Sequence, residues 1–522
     1  MAWLHTWTGL LAGWLLFFVF LTGSTGYFYF EIDRWMRPEL PLAGREARDP
    51  AAMAARAQAY LQSQMPHANQ WGIYLPVERT IPELLVIARE GSGASQRVLR
   101  TVLDPGTGRP AENRQARATG GGPVLYRMHY LLHYLPRDIG IWIVGACTMF
   151  MLVALVSGVI THRRIFADFF TFRPRKGARS WLDAHNVASV LALPFFFMIT
   201  VSGLAFFMYQ YLPAGLLAAY GPGPQARQQY SRDMSDRPSA TQAGPAAPLV
   251  PLGALVQAAQ ARWGDGRVVA SLLVQRPNGA GAQVQARARR EGGRSFSFES
   301  LYFDGATGAA LAATNPSRTR DAHDALIGLH EGRFAGTGLR WLYFLSSLLG
   351  CAMIATGLVL WTAKRRARHQ ALVCAGGRAP LGFRIVEGLN IGTLAGLPLA
   401  IAAYFWANRL LPAAWPMRAN WEVHILFLAW ACALAWPALR PARRAWRELL
   451  WLDAAAYALL PALNAATTRR HLGITLPAGD WALAGVDLTL LAAGLAFGWA
   501  AWRAGSMRAR GSGRLPGTGT RA

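Results

Sequence analysis

The chain has 522 residues, of which 53% are hydrophobic, and a formal net charge of +25. The charge does not mark a nucleic-acid binder, because the basic residues are not spread over one surface; they cluster in short segments beside apolar runs. The four cysteines, Cys147, Cys351, Cys374 and Cys432, fall inside those runs or in a short basic loop, so no disulfide framework is implied.

In chain order, eight runs are apolar enough to span a bilayer, which takes roughly 20 residues. They lie at about 7–30, 138–160, 186–212, 339–362, 384–406, 421–438, 449–466 and 481–502, within the usual few residues. The first is longer than the apolar region of a signal peptide and follows no basic segment, so it reads as an uncleaved span. Arg163, Arg164, Arg173, Arg175, Lys176 and Arg179 separate runs two and three. Lys364, Arg365, Arg366 and Arg368 separate runs four and five, and Arg440, Arg443, Arg444 and Arg447 separate six and seven. Arg503, Arg508, Arg510, Arg514 and Arg521 follow the last. This alternation is the positive-inside pattern, and it predicts both termini in the cytoplasm. The connections at 31–137 and 213–338 then lie outside.

The expected class is therefore a mainly α, polytopic helical membrane protein with two small α+β external domains. Span one occupies 1–34 and the first external domain 35–137. Spans two and three, with their basic loop, occupy 138–212, and the second external domain 213–338. Span four occupies 339–370, a four-span region 371–505 and a disordered tail 506–522. In the first external domain Ala51–Gln64 reads as a helix, and Val102–Gly108 as a strand ending in an Asp/Gly turn. In the second, Leu252–Trp263 reads as a helix, Val268–Gln275 as a strand and Tyr302–Gly308 as the matching turn. The unit span–domain–span thus occurs twice. Pro/Gly/Ser/Gln-rich residues 221–247 read as a linker and 112–122 as a loop.

The repeat carries histidines. Leu4-His5 opens a run that reaches Thr22-Gly23, and Ala184-His185 opens one that reaches Ser202-Gly203. Leu132-His133 precedes a helix through Trp142 to Ser157-Gly158, and Leu329-His330 one through Trp341 to Thr356-Gly357. The two tryptophans read as packing or interface residues rather than electron relays. Ionisable residues in or beside spans are functional candidates by default. Two copies that enter the membrane in the same direction are related by an axis along its normal, and a haem with two histidine ligands is itself roughly two-fold symmetric. Imidazole suits haem iron, and helix bundles build cofactor sites from facing helices. The expected iron ligands are His5 with His185 near the cytoplasmic face and His133 with His330 near the external face. His129, four residues from His133, is an alternative on the same helical face, with Pro136 close enough to break that helix. His162 is an alternative to His5, although its repeat counterpart is Trp361. Between His133 and His162 lie about 43 Å of helix at about 1.5 Å per residue, which puts the two sites near opposite faces.

Of the other histidines, His67, His323, His369 and His471 read as solvated loop residues and His424 as an interhelical hydrogen-bond partner. No C-x-x-C-H occurs, so a haem would be held without thioether bonds. No H-E-x-x-H, no evident Ser/His/Asp set and no dinucleotide fingerprint occurs.

The residues Leu4-His5 to Gly26, Glu31-Ile32-Asp33-Arg34-Trp35-Met36-Arg37-Pro38-Glu39, Thr161-His162-Arg163-Arg164 to Pro174, Asp183-Ala184-His185-Asn186 and Leu329-His330-Glu331-Gly332-Arg333-Phe334 resemble the PepSY-associated transmembrane-helix family of bacterial inner-membrane proteins. The Asp-x-x-Thr-Gly turns resemble those of PepSY domains. The resemblance covers about residues 1–370. It implies a multi-pass inner-membrane protein, and some members are di-haem proteins that reduce ferric siderophores in the periplasm. That implies two haem b groups, a ferric siderophore or other ferric chelate as acceptor, and a quinol or cytoplasmic reductase as donor. It also leaves open a non-redox anchored binding or assembly protein, or a transporter built on the repeat. One departure is the stretch Leu193–Met198, which has Phe195, Phe196 and Phe197 where relatives often carry a histidine.

Overall fold

A backbone in lipid has no water to bond, so an apolar run that crosses a membrane closes its hydrogen bonds within a helix. The computed structural model describes residues 1–40, 49–76, 83–111, 116–161, 169, 172–173, 176–211, 213–234, 238, 244–264, 266–289, 300–311, 318–332 and 334–506. His162, Arg163, Arg164 and the tail from Met507 lie outside the described residues. The principal helices are α1 (Ala2–Gly26), α2 (Tyr29–Trp35), α3 (Pro50–Gln64), α4 (Gly121–Leu131), α5 (Arg137–Thr161), α6 (Ala178–Leu191), α7 (Leu193–Phe206), α8 (Leu252–Trp263), α9 (Arg318–Glu331), α10 (Thr337–Cys374), α11 (Leu381–Leu394), α12 (Gly396–Leu410), α13 (Arg418–Leu439), α14 (Ala442–Thr467) and α15 (Trp481–Ser506). The strands are β1 (Gln70–Tyr74), β2 (Leu84–Glu90), β3 (Arg97–Leu103), β4 (Val268–Gln275), β5 (Gln283–Arg289), β6 (Ser300–Asp304) and β7 (Ala310–Leu311).

Among the described residues seven helical segments are long and apolar enough to cross a membrane, or up to eight if the bent pair α6 and α7 counts as one span. That pair turns by 67° at Ala192, just before Pro194, where proline supplies no N–H to the preceding turn. The others match the expected runs, with α11 and α12 together forming one. Trp142, read as a packing residue, is 49% exposed on α5.

The chain divides into two units: Met1–Pro38 with Ala116–Phe197 and Phe344–Ala522, and Glu39–Gln115 with Met198–Tyr343. In the first, helices approach closely where side chains are small. A Cβ on Gly494 of α15 would lie 2.6 Å from the Ala458 backbone nitrogen of α14. The helices beyond residue 380 hold the start of the chain. Phe18 of α1 stacks on Trp430 of α13 with ring centroids 5.5 Å apart, and the Trp14 indole N–H donates to Asn390 Oδ1 of α11 at 2.8 Å.

In the second unit seven antiparallel strands form one sheet in the order β3-β2-β1-β4-β5-β6-β7. β1 pairs with β4, Gly72 opposite Leu273, so the two external segments, read as separate α+β domains, contribute to a single sheet. Apart, β1 and β4 would each expose an unpaired edge, and each segment is too short to bury much surface alone. The alternating residues Trp71, Ile73, Leu84, Val86, Val274 and Val284 point to one buried face, packed with Ala54, Leu61 and Val256 of α3 and α8. The Gln58 side chain joins the two copies, donating to the Val250 carbonyl at 3.1 Å and accepting the Leu252 N–H at 2.7 Å. The two Asp/Gly turns are alike. Asp104 Oδ1 accepts the N–H groups of Gly106 and Thr107 and the Thr107 hydroxyl, at 2.9–3.1 Å. Asp304 Oδ1 accepts from Ala306 and Thr307 in the same way, at 2.8–3.0 Å. Burial pushes the Asp304 carboxyl up, but the bonds from Thr307 and Ala306 outweigh it and hold it below the usual range. Gly108 and Gly308 close the turns at φ 70° and 77°, where only glycine is unstrained.

Candidate functional site

Each of the four Ser/Thr-Gly dipeptides singled out in the repeat receives a histidine. The glycine has no Cβ, so an imidazole can lie flat against its helix. A Cβ on Gly158 would stand 3.1 Å from His5 Cε1, one on Gly357 3.1 Å from His185 Cε1, one on Gly203 3.0 Å from His330 Cε1 and one on Gly23 2.5 Å from His129 Nδ1. The hydroxyl residue before each glycine turns back onto its own helix. Thr22 donates to Phe18 O, Ser202 to Met198 O and Thr356 to Ala352 O, four residues back, and Ser157 to Ala154 O, three back.

His5 and His185 meet. His5 Nδ1 donates to the Ala154 carbonyl at 2.9 Å, and His185 Nδ1 to the Met353 carbonyl at 2.8 Å. A carbonyl only accepts, so both Nδ1 atoms carry the proton and both Nε2 atoms carry the lone pair of the neutral ring. This is the arrangement by which a backbone carbonyl orients a metal-binding histidine. The ring centroids are 6.2 Å apart with the planes at 66°. Two imidazoles on opposite sides of one metal, with metal–nitrogen bonds of about 2 Å and about 1 Å more from nitrogen to ring centre, would have centroids about 6 Å apart. Among the described residues no group of three or more His, Cys, Asp or Glu side chains could hold a metal. An ion between His5 and His185 would need its remaining donors from something other than such side chains.

The structure separates the two first-copy histidines His129 and His133. α4 ends at Leu131, and Leu132 takes a left-handed φ of 52°. His133 therefore falls in the short link before α5 and no longer shares a helical face with His129. It stacks on Phe427 at 5.9 Å, beside Tyr134, whose hydroxyl bonds to His424 Nδ1. Burial, then the nearby His424 and Arg127 charges, holds the His133 imidazole below its ordinary pKa. His129 takes the repeat position instead. Its Nδ1 donates to the Val19 carbonyl of α1 at 2.7 Å. His330 lies over Gly203, with Nδ1 3.0 Å from Ser202 Oγ; that hydroxyl donates to Met198 O, so it accepts from the ring. On α1, Gly23 and His5 are separated by about 27 Å at about 1.5 Å per residue, so the two histidine levels of that helix lie near opposite ends. Phe196, in the stretch that departs from the family pattern, is fully buried against Phe20, with centroids 6.3 Å apart.

A buried polar cluster to which the sequence reading gave no role ties α2 to the helices beyond residue 380. Arg34 pairs with Asp480 at 2.7 Å. The Trp35 indole donates to Asp487 at 2.8 Å, and the Arg409 guanidinium lies 3.7 Å above the Trp35 ring. Arg418 pairs with Glu422, which also accepts from Asn408 and Thr119. The available signal was Arg409, Arg418, Glu422, Asp480 and Asp487, charged residues at the ends of apolar runs.

The glycine seats make a direct prediction. Gly23→Ala is expected to destabilise the protein by about 1–3 kcal/mol, the cost of overpacking a filled site. Gly9→Ala, where a Cβ meets nothing within 4 Å, is expected to leave stability unchanged or slightly raised. Thermal unfolding of the two variants in detergent compares them, and equal midpoints would refute the seating of His129.

A family model described as PepSY-associated TM region matches residues 2–364. All the histidines of the four seats lie within that stretch. The chain is also 26% identical over 355 residues to an uncharacterized protein of Pseudomonas aeruginosa, a match that covers 66% of this chain and 85% of that one.

Proposed function

The chain belongs to the PepSY-associated TM region family, a family of membrane proteins, and from that premise we propose that it is a haem b oxidoreductase passing electrons across the bacterial inner membrane to a ferric chelate. A ferric siderophore is the expected acceptor, the reaction the one-electron reduction of Fe(III) to Fe(II), and iron acquisition the purpose. The observation that carries this reading is the His5–His185 pair, with ring centroids 6.2 Å apart and each ring oriented by a backbone carbonyl through Nδ1, which would hold the haem. A porphyrin would supply the donors that the described side chains do not, and when bound it supplies a reversible one-electron carrier. His129, whose ring lies over Gly23, and His330, whose ring lies over Gly203, are each further candidate haem ligands.

The chain's own part is to orient and enclose. The carbonyls of Ala154, Met353 and Val19 hold the rings, and Gly158, Gly357 and Gly23 leave room for them. In this reading both termini are cytoplasmic, the sheet unit faces the periplasm and the acceptor, and the donor is a quinol or a cytoplasmic reductase. Protein purified from haem-replete cells is expected to be red, with a Soret band that moves on dithionite reduction and a haem-to-chain ratio near two. A colourless preparation would overturn the reading in favour of a non-redox anchored binding protein or a transporter.

A further inference from the structure

Asp453 sits near the middle of α14, about 16 Å from its first residue and about 21 Å from its last at about 1.5 Å per residue. Its exposure is 0%, and neither carboxyl oxygen has a hydrogen-bond partner among the described residues. Each other buried carboxylate with an orphaned oxygen, Asp33 and Glu83, lacks a partner at one oxygen only. Among the described residues several charged groups on the surrounding helices are engaged elsewhere, while Arg384 stands in the first turn of α11 and Arg443, Arg444 and Arg447 in the first two turns of α14, six or more residues before Asp453. On α11, Glu387 pairs with Arg366 at the helix start. On α12, Arg409 is engaged by Asn464 and Trp35. On α13, Arg418 pairs with Glu422, and His424 bonds to Tyr134. On α15, Asp487 is bonded to Trp35 and Asn464, and Arg503 lies over Trp499 and Trp502. On α14 itself Glu448 accepts from Trp436 and faces Arg440.

An ionised carboxylate without partner or water in a span is among the costliest states a side chain can adopt. One polar side chain stands on the same helical face. Tyr457, one turn further along α14, donates its hydroxyl to the Pro398 carbonyl at 2.8 Å. Pro398 and Pro461 have no N–H to offer the carbonyls four residues back, Leu394 and Tyr457. The Asp453 carboxyl and the Tyr457 phenol, one turn apart, share one face of α14. Asp453, Tyr457 and Asn464, at i, i+4 and i+11, share one stripe of α14, and Asn464 donates to Asp487 at 3.0 Å. That stripe runs from mid-span to the buried polar cluster at the far end of the helix.

We propose that Asp453 is a proton-binding site in the four-span region beyond the family match, carrying a proton as the neutral acid and exchanging it along the Tyr457–Asn464 stripe. The inference is independent of the haem reading, since no residue of the four histidine seats takes part. It gives the region from residue 381 a chemistry of its own, the uptake and release of protons within the bilayer.

Infrared spectra of the full-length protein in lipid nanodiscs test this. The carbonyl stretch of an un-ionised carboxylic acid is expected at pH 7, where an ordinary aspartate would be neutral in only about one part in a thousand. Exchange into D2O is expected to lower its frequency, and Asp453→Asn to abolish it. Asp453→Glu is expected to move the band rather than remove it. Spectra of wild type and Asp453→Asn that superimpose in the acid region would overturn the proposal. So would a carboxylate band at pH 7 that responds to sodium or potassium, which would make this a cation site. The wild-type pH series is decisive even if a variant fails to fold: absence of the acid band at pH 7 rejects the site.

Discussion

His5→Ala and His185→Ala are each expected to remove the same haem, so that each purified variant holds about half the haem of the wild type. The two rings lie 6.2 Å apart, each pinned by Nδ1 to a carbonyl of a neighbouring helix. If the two rings hold one haem, loss of either would remove half of its protein ligands. The double variant is expected to lose no more haem than either single, because the effects of residues that share one site are not additive. His129→Ala is expected to lose the other haem, and His133→Ala to keep both, because the left-handed turn at Leu132 removes His133 from the seat over Gly23. Pyridine haemochrome assays and low-temperature spectra of the variants measure this. Additive loss in the double variant, or full haem in both singles, rejects the paired-ligand reading.

Glu422→Ala is expected to cost about 3–5 kcal/mol, the penalty for leaving one member of a buried ion pair uncompensated. Arg418 is 1% exposed and Glu422 0%, and Glu422 also accepts from Asn408, Thr119 and the Gly120 N–H. Its removal strands a guanidinium together with three donors. Arg418 further donates to the carbonyls of Ala118 and Asn408, so the pair fixes the approach to α4 and with it His129. The double change Arg418→Met with Glu422→Leu is expected to recover much of the loss, as apolar replacements of buried pairs often do. Thermal unfolding in detergent, followed by tryptophan fluorescence, gives the midpoints. A Glu422→Ala midpoint equal to wild type would show the pair to be solvated rather than buried.

Local signals were sufficient for several features. The spans follow from run length and hydropathy, because a helix in lipid needs nothing from the rest of the chain to satisfy its backbone. The turns at Asp104 and Asp304 follow from Asp-x-x-Thr-Gly, since their hydrogen bonds close within four residues. The approach of His5 to His185 was the expectation drawn from the repeat, and the ring centroids lie 6.2 Å apart. The Ser/Thr-Gly dipeptides were visible as the ends of runs, but their use as seats for imidazole rings was not, since that requires knowing which helix lies opposite.

The sequence by itself determined the membrane class, the duplicated unit and the residue types able to bind a metal, all of which rest on composition and on interactions between near neighbours. Only the tertiary structure decided that His129 and not His133 fills the first-copy seat, that β1 and β4 join two segments in one sheet, and that Asp453 lies unanswered inside a span. The reason is common to the three. A one-residue change of handedness at Leu132, the pairing of strands about 200 residues apart and the surroundings of one buried carboxyl depend on which distant surfaces meet, and no window along the chain contains that information.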